Sequence, residues 1–286
     1  MGELLTTGEL LRRTTRYFEE KGLPSPRLDA EVLLAWALGC ERVDLYVNYD
    51  RPLEPDEVAR YRELVGRRAK RVPVAFLRGF KEFFALPFAV SPAVLIPRPE
   101  TETLVQVALE WLAEQGAEVT LPTGKRLTAQ EPKAGGWTLA DVGTGSGCIA
   151  VTVAKCAPGV RVIATDRSPD ALAVAQTNAE RHGVADRVTF LAGDGPEPLF
   201  AGGWAGRLDA VLSNPPYIPT PVLAELAQDI AYEPREALDG GPDGLDFYRR
   251  WLPRFAALLR PGGLLAVEIG HDQGAAVPAL AGGTGV

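Results

Sequence analysis

From residue 138 onward, short apolar runs alternate with longer amphipathic ones, and few architectures tolerate that rhythm. Residues 138–142 read as a buried strand, 148–156 as a helix and 161–166 as a second strand. Residues 169–182 carry a helical pattern with Leu172, Val174 and Ala175 inward. Further strands are expected at 188–191, 208–213 and 264–269, with a helix over 245–259. Strands separated by helix-length connections pair in parallel, because a tight turn cannot join them. The expected class is therefore α/β with a Rossmann-like parallel sheet, any ligand lying beyond the carboxyl ends of its strands.

At the end of the first of these strands stands Asp141-Val142-Gly143-Thr144-Gly145-Ser146-Gly147, which opens the next helix. Glycine lets backbone pass close to a ligand with no Cβ in the way. Asp166 ends the next strand about 20 residues later, where a carboxylate accepts hydrogen bonds from ribose hydroxyls. A dinucleotide site is the competing reading, but its fingerprint wants glycine or alanine where Cys148 stands. Two details favour S-adenosylmethionine. Asp141 ahead of the glycines suits a cationic amino-acid group and would repel a pyrophosphate. Asp194 and Gly195 follow the third strand, where an acidic side chain can meet an adenine amino group; a plain surface turn is the alternative there.

The fourth strand delivers Ser213-Asn214-Pro215-Pro216-Tyr217 to the same edge. Asn-Pro and Pro-Pro are common loop dipeptides, but a loop reading leaves unexplained why an apolar strand carries them to the ligand. A nitrogen conjugated to a π-system is a poor nucleophile because its lone pair is delocalised. The Asn214 side-chain oxygen and the Pro215 carbonyl can hold both of its N–H bonds, aim the lone pair at a methylsulfonium and offset the developing positive charge. Tyr217 is expected to stack on the planar substrate group and exclude water. Neither a metal nor a strong base is needed.

The first ninety residues read as short helices. Thr6 and Glu9 have capping-box spacing ahead of a stripe of Leu10, Leu11, Thr14, Tyr17 and Phe18. A second helix starts near Ser25-Pro26 and ends before Gly39, and a third runs over about 55–70. The third presents Arg60, Arg62, Arg67, Arg68, Lys70 and Arg71 on its polar face, a solvated face or a contact surface for an acidic or RNA-containing partner. Aromatic and β-branched residues from Gly79 to Pro92 suggest a hairpin joining two domains. Residues 116–136 lack periodicity and read as an inserted surface loop.

The formal charge of −7 argues against a nonspecific nucleic-acid coat, and residues 1–90 are close to neutral while the remainder carries the deficit. Three scattered cysteines and two histidines suggest neither a disulfide framework nor a metal site. No apolar run approaches a membrane span and no signal peptide is legible, so a cytoplasmic location is expected.

Taken together, the chain resembles the peptide-chain release factor glutamine methyltransferases (the HemK/PrmC family). The matching segments are Ile96-Pro-Arg-Pro-Glu-Thr-Glu102, Asp141-Val-Gly-Thr-Gly-Ser-Gly-Cys148, Ser213-Asn-Pro-Pro-Tyr-Ile218, Tyr232-Glu-Pro-Arg-Glu-Ala-Leu238, Gly240-Gly-Pro-Asp-Gly-Leu245 and Glu268-Ile-Gly270. The resemblance implies a class I methyltransferase that moves a methyl group from S-adenosylmethionine to N5 of the glutamine in the Gly-Gly-Gln motif of class 1 release factors. It implies that Gly143, Thr144, Gly145, Ser146, Gly147, Asp166, Asp194 and Gly195 surround the cofactor. Asn214 would touch both cofactor and substrate, with Pro215, Pro216 and Tyr217 completing the catalytic set. The implied organisation is a helical docking domain over 1–78, a hairpin linker over 79–95 and a catalytic domain over 96–286, with 113–136 inserted. A monomer is expected of the full-length form, with no direct DNA binding and no membrane.

One departure stands out. Class I sheets usually add an antiparallel strand pair after the fifth parallel strand, and here residues 281–286 cannot make a core strand. The strand at 264–269 is then expected at an exposed edge, with lower stability or self-association as the consequence. Three other functions compete: a glutamine methyltransferase acting on a ribosomal protein, an adenine-N6 nucleic-acid methyltransferase, which shares Asn-Pro-Pro-Tyr, and a noncatalytic cofactor-binding module.

Overall fold

A computed structural model describes residues 5–127 and 136–282. The chain forms two compact units, one of residues up to 79 with 228–232, the other of residues 80–227 with 233 onward.

The first unit is helical: α1 (Thr7–Glu20), α2 (Pro26–Leu38), α3 (Arg42–Val47), α4 (Pro55–Arg68) and α5 (Val74–Arg78). The capping box is present, with the Thr6 amide donating to Glu9 at 3.1 Å and the Glu9 amide to the Thr6 hydroxyl at 3.3 Å. Apolar positions at helical spacing close a core around Phe18, Leu33, Leu34, Leu45 and Tyr61. The polar face of α4 differs from its sequence reading. Arg68 is 3% exposed; its guanidinium reaches Asp29 at 2.8 Å and Asp229 at 2.7 Å. It belongs to a buried ion cluster, and only its neighbours belong to a basic surface.

The second unit opens with the hairpin, β1 (Phe80–Phe83) against β2 (Leu86–Ala89). Its two-residue turn places Phe84 and Ala85 at φ 51° and 58°, a left-handed pair that usually recruits glycine or asparagine. The Glu102 carboxylate accepts the Phe84 amide at 2.8 Å and holds the turn. Then follow α6 (Thr101–Glu114), β3 (Val119–Thr120), β4 (Arg126–Leu127), β5 (Trp137–Val142), α7 (Cys148–Cys156), β6 (Val160–Asp166), α8 (Pro169–Arg181), β7 (Val188–Ala192), α9 (Glu197–Ala201), β8 (Leu208–Ser213), α10 (Asp246–Leu258), β9 (Leu259–Val267) and α11 (Ala276–Gly282). The stretch read as a structureless insertion is partly built: β3 pairs with β4, and Ala117 and Val119 are buried in the main core. On α8, the buried positions are Ala171, Ala175, Asn178 and Ala179, so Leu172 and Val174 sit at the margin.

Five strands form the parallel sheet in the order β7-β6-β5-β8-β9. Alternating side chains feed two layers, as a period of two demands. Leu139, Val162, Ala210 and Leu212 pack against α6 and α7, while Ala140, Val142, Ile163 and Val211 face Trp251, Leu252 and Phe255 of α10. The last strand starts earlier than expected and carries a register shift opposite residues 208–210, where Pro261, Gly262 and Gly263 interrupt its pattern. Among the described residues β9 pairs only with β8 and no strand follows it. Among the described residues no helix is long and apolar enough to cross a membrane.

Candidate active site

The carboxyl ends of β5, β6, β7 and β8 open onto one cleft of about 480 Å³, within the usual size of a small-molecule site. Its floor is the glycine turn after β5. Gly143 and Gly145 sit at φ 77° and 54°, and a Cβ on either would project into open space. Gly147 differs: it packs against Ala175, leaving 3.0 Å for a Cβ, so it serves helix packing. The Gly143 and Thr144 amides both donate to the Thr165 carbonyl at 2.9 Å. Asn178, fully buried, donates to the Ser146 carbonyl at 2.8 Å and clasps the Ala89 amide at 2.7 Å. No motif in the sequence marks Asn178.

Asp141 has a different place from the one expected. It is wholly buried, and its Oδ2 accepts the Thr144 hydroxyl at 2.7 Å and the Ala150 amide at 3.1 Å. It staples the turn to α7 from behind, and its Oδ1 has no hydrogen-bond partner. Burial pushes its carboxyl up from 3.8 to about 7. Between those values the native state holds a proton that the unfolded chain releases, so stability falls as pH rises from about 4 through about 7, by up to about 4 kcal/mol. Asp141→Asn is expected to flatten the dependence of melting temperature on pH between 5 and 8; an unchanged slope would remove Asp141 as its source.

Asp166 ends β6 at the cleft. Its Oδ2 accepts the Gly145 amide at 2.8 Å and its Oδ1 the Ser168 amide at 2.9 Å, which fixes the carboxylate beside the glycine turn. Asp194 also lines the cleft, but Arg250 donates to both of its oxygens at 2.9 Å. The neighbouring Gly195, at φ 56°, has no room for a side chain because its Cβ would meet the Trp251 ring. Trp251 and Phe247 stack edge to face at 4.7 Å and form an aromatic wall of the cleft. Their four-residue spacing on α10 read only as helix periodicity, so sequence reasoning missed them.

At the end of β8, the Ser213 hydroxyl donates to the Val142 carbonyl at 2.7 Å and ties the reaction motif to the glycine turn. Asn214 and Pro216 line the cleft, and Pro215 between them is buried. Tyr217 departs from its expected stacking role. Its ring packs into the α10 layer, and its hydroxyl donates to Glu268 Oε1 at 3.2 Å. The Glu268 Oε2 accepts the Thr101 hydroxyl at 2.6 Å, and Thr101 in turn accepts the Asn214 amide at 3.0 Å. Burial raises the Glu268 carboxyl above the ordinary glutamate value. Nearby, Glu233 accepts the Ile96 amide at 2.8 Å and Arg98 at 2.6 Å, joining two of the signature segments into one rim. Of the sequence-chosen residues, Gly143, Gly145, Asp166, Asp194, Gly195, Asn214 and Pro216 thus meet at the cleft, while Thr144, Ser146, Gly147, Pro215 and Tyr217 support it.

These residues fit S-adenosylmethionine. The open glycine cradle admits a methionyl group, the fixed Asp166 carboxylate suits a ribose, and the Phe247–Trp251 wall gives an apolar face of the kind a purine needs.

Comparison with known proteins gives the same picture. The family described as PrmC N-terminal domain matches residues 9–79, and that described as methyltransferase small domain matches residues 123–242. A release factor glutamine methyltransferase of Moorella thermoacetica is 47% identical over 277 residues, 97% of this chain and 90% of that protein. One of Geobacter sulfurreducens is 45% identical, covering 99% of this chain and 90% of that protein. Among solved structures, the human Mettl16 catalytic domain in complex with an RNA hairpin superposes with a TM-score of 0.51 at 16% identity, covering 74% of this chain and 70% of that one, a likeness of fold alone. With the cleft and its reaction motif in place, the chain belongs to the release factor glutamine methyltransferase family.

Proposed function

We propose that this enzyme methylates N5 of the glutamine in the Gly-Gly-Gln motif of class 1 release factors, using S-adenosylmethionine. The observation that carries the reading is the convergence of Asn214 and Pro216 on the cleft floored by Gly143, Gly145 and Asp166. Bound there, the cofactor supplies an electrophilic methyl group on a sulfonium. The chain's task is to make an amide nitrogen nucleophilic. Asn214 Oδ1 and the Pro215 carbonyl accept the two N–H bonds, hold the glutamine side chain and stabilise the positive charge that develops on nitrogen. The helical unit, with its basic Arg60, Arg62, Arg67, Lys70 and Arg71, docks the release factor outside the cleft; Arg68, locked in its ion cluster, takes no part. The enzyme acts in the cytoplasm.

The test is a three-way competition with labelled S-adenosylmethionine, offering an intact release factor, total ribosomal protein and DNA in parallel. Label is expected on the release factor glutamine and is expected to vanish in Asn214→Ala. Label on DNA or on a ribosomal protein instead would overturn the substrate.

A further inference from the structure

We infer that Thr101 and Glu268 set the direction of the Asn214 amide, so that its oxygen and not its NH2 group faces the cleft. The inference deepens the proposed reaction and rests on it for its catalytic consequence. Its structural part stands on hydrogen-bond valence. A carboxylate only accepts, so the Thr101 hydroxyl, 2.6 Å from Glu268 Oε2, has its single proton committed there. The lone pairs left on Thr101 can only accept, and the group 3.0 Å away on Asn214 must therefore be the NH2. Thr101 is 2% exposed, so water does not compete for these bonds. The Tyr217 hydroxyl donates to the other carboxylate oxygen, and the Tyr248 hydroxyl donates to the Glu268 carbonyl at 2.7 Å, which holds the acceptor still.

The consequence is chemical. An asparagine side chain is nearly symmetric in shape, and either orientation fits the space. With NH2 toward the cleft, donor would face donor, and the substrate amide would lose an acceptor in a site where unmade hydrogen bonds are costly. Thr101 and Glu268 are thus positioning residues for Asn214, acting from α6 and from the turn after β9, and neither lies in the Asn-Pro-Pro-Tyr motif.

Two substitutions and two readouts test this. Thr101→Val keeps the side-chain shape but removes the hydroxyl; Thr101→Ser keeps the hydroxyl. Thr101→Val is expected to lower kcat by about 10- to 100-fold, in the range of losing an aligned catalytic contact. Its dissociation constant for S-adenosylmethionine should stay within about threefold of the parent, since the cradle residues are untouched. Thr101→Ser is expected to restore most of kcat. The second readout needs neither cofactor nor substrate: the side-chain 15N–1H2 resonances of Asn214, assigned by their loss in Asn214→Asp, should be slow to exchange with solvent in the parent and in Thr101→Ser, and fast in Thr101→Val. Unchanged exchange in Thr101→Val, or a serine variant as impaired as the valine, would overturn the inference. Failure of the parent to methylate a release factor, with the exchange pattern intact, would overturn only the assigned reaction.

Discussion

Replacing Asn214 by aspartate is expected to lower kcat by about 10²- to 10³-fold, the range found when one aligned polar group is removed from a transition-state site. The change is nearly isosteric and keeps an oxygen, so bulk and acceptor count cannot account for the loss. What goes is the NH2 that bonds Thr101 at 3.0 Å. An aspartate oxygen would meet a hydroxyl whose proton already belongs to Glu268, and a second carboxylate would lie beside one whose pKa burial has raised. Like charges so placed cannot both ionise easily. The pair would share a proton or swing apart, and either outcome spoils the acceptor geometry. Binding of the cofactor should weaken little, because Gly143, Gly145 and Asp166 keep their contacts and an added negative charge does not repel a sulfonium. Rapid-quench methylation beside calorimetric cofactor titration separates the two quantities. A kcat within threefold of the parent would show that the amide is dispensable.

Much of this site was legible in the sequence, and the reason is local. A strand that ends in Asp141-Val142-Gly143-Thr144-Gly145 states its own geometry, because Gly143 and Gly145 hold φ values that other residues avoid. The parallel sheet followed from runs whose length and spacing forbid hairpins, and β8 begins and ends where its apolar run does. What stayed hidden depends on contacts between distant positions. Thr101 and Glu268 lie 167 residues apart and meet only when α6 packs on β9. Trp251 shapes the cleft by packing on Gly195, a contact that the cofactor-side reading of Gly195 did not show. Tyr217 read as an aromatic at a ligand edge, but direction is a property of the fold: the backbone after Pro216 is clamped by the Ile218 and Gly240 amides across residues 238–240, and the ring turns into the α10 layer. Helices α3 and α5, of six and five residues, are too short for a 3.6-residue period to show.

The helical unit holds the second large effect. Arg68→Met is expected to destabilise it by about 3–5 kcal/mol, the cost of leaving a buried charge without its partner. Arg68 stands between Asp29, 7% exposed, and Asp229, so its removal leaves two facing carboxylates with no cation. Burial already raises the Asp29 carboxyl, and the Arg68 guanidinium works against that rise. Without Arg68 the pKa climbs further, the native state holds more protons than the unfolded one, and the deficit grows as pH rises through the folded value. The variant should therefore lose more stability at pH 8 than at pH 5. Methionine keeps most of the apolar stem, which limits the packing loss. Hydrogen exchange locates the effect: amides of α2 and α4 should open together in Arg68→Met, while those of β5 and β8 keep their protection. Adding Asp29→Asn and Asp229→Asn should recover most of the loss, because a neutral cluster carries no unpaired charge. Equal losses at both pH values, or no recovery in the triple variant, would mean that Arg68 acts through packing and not through its charge.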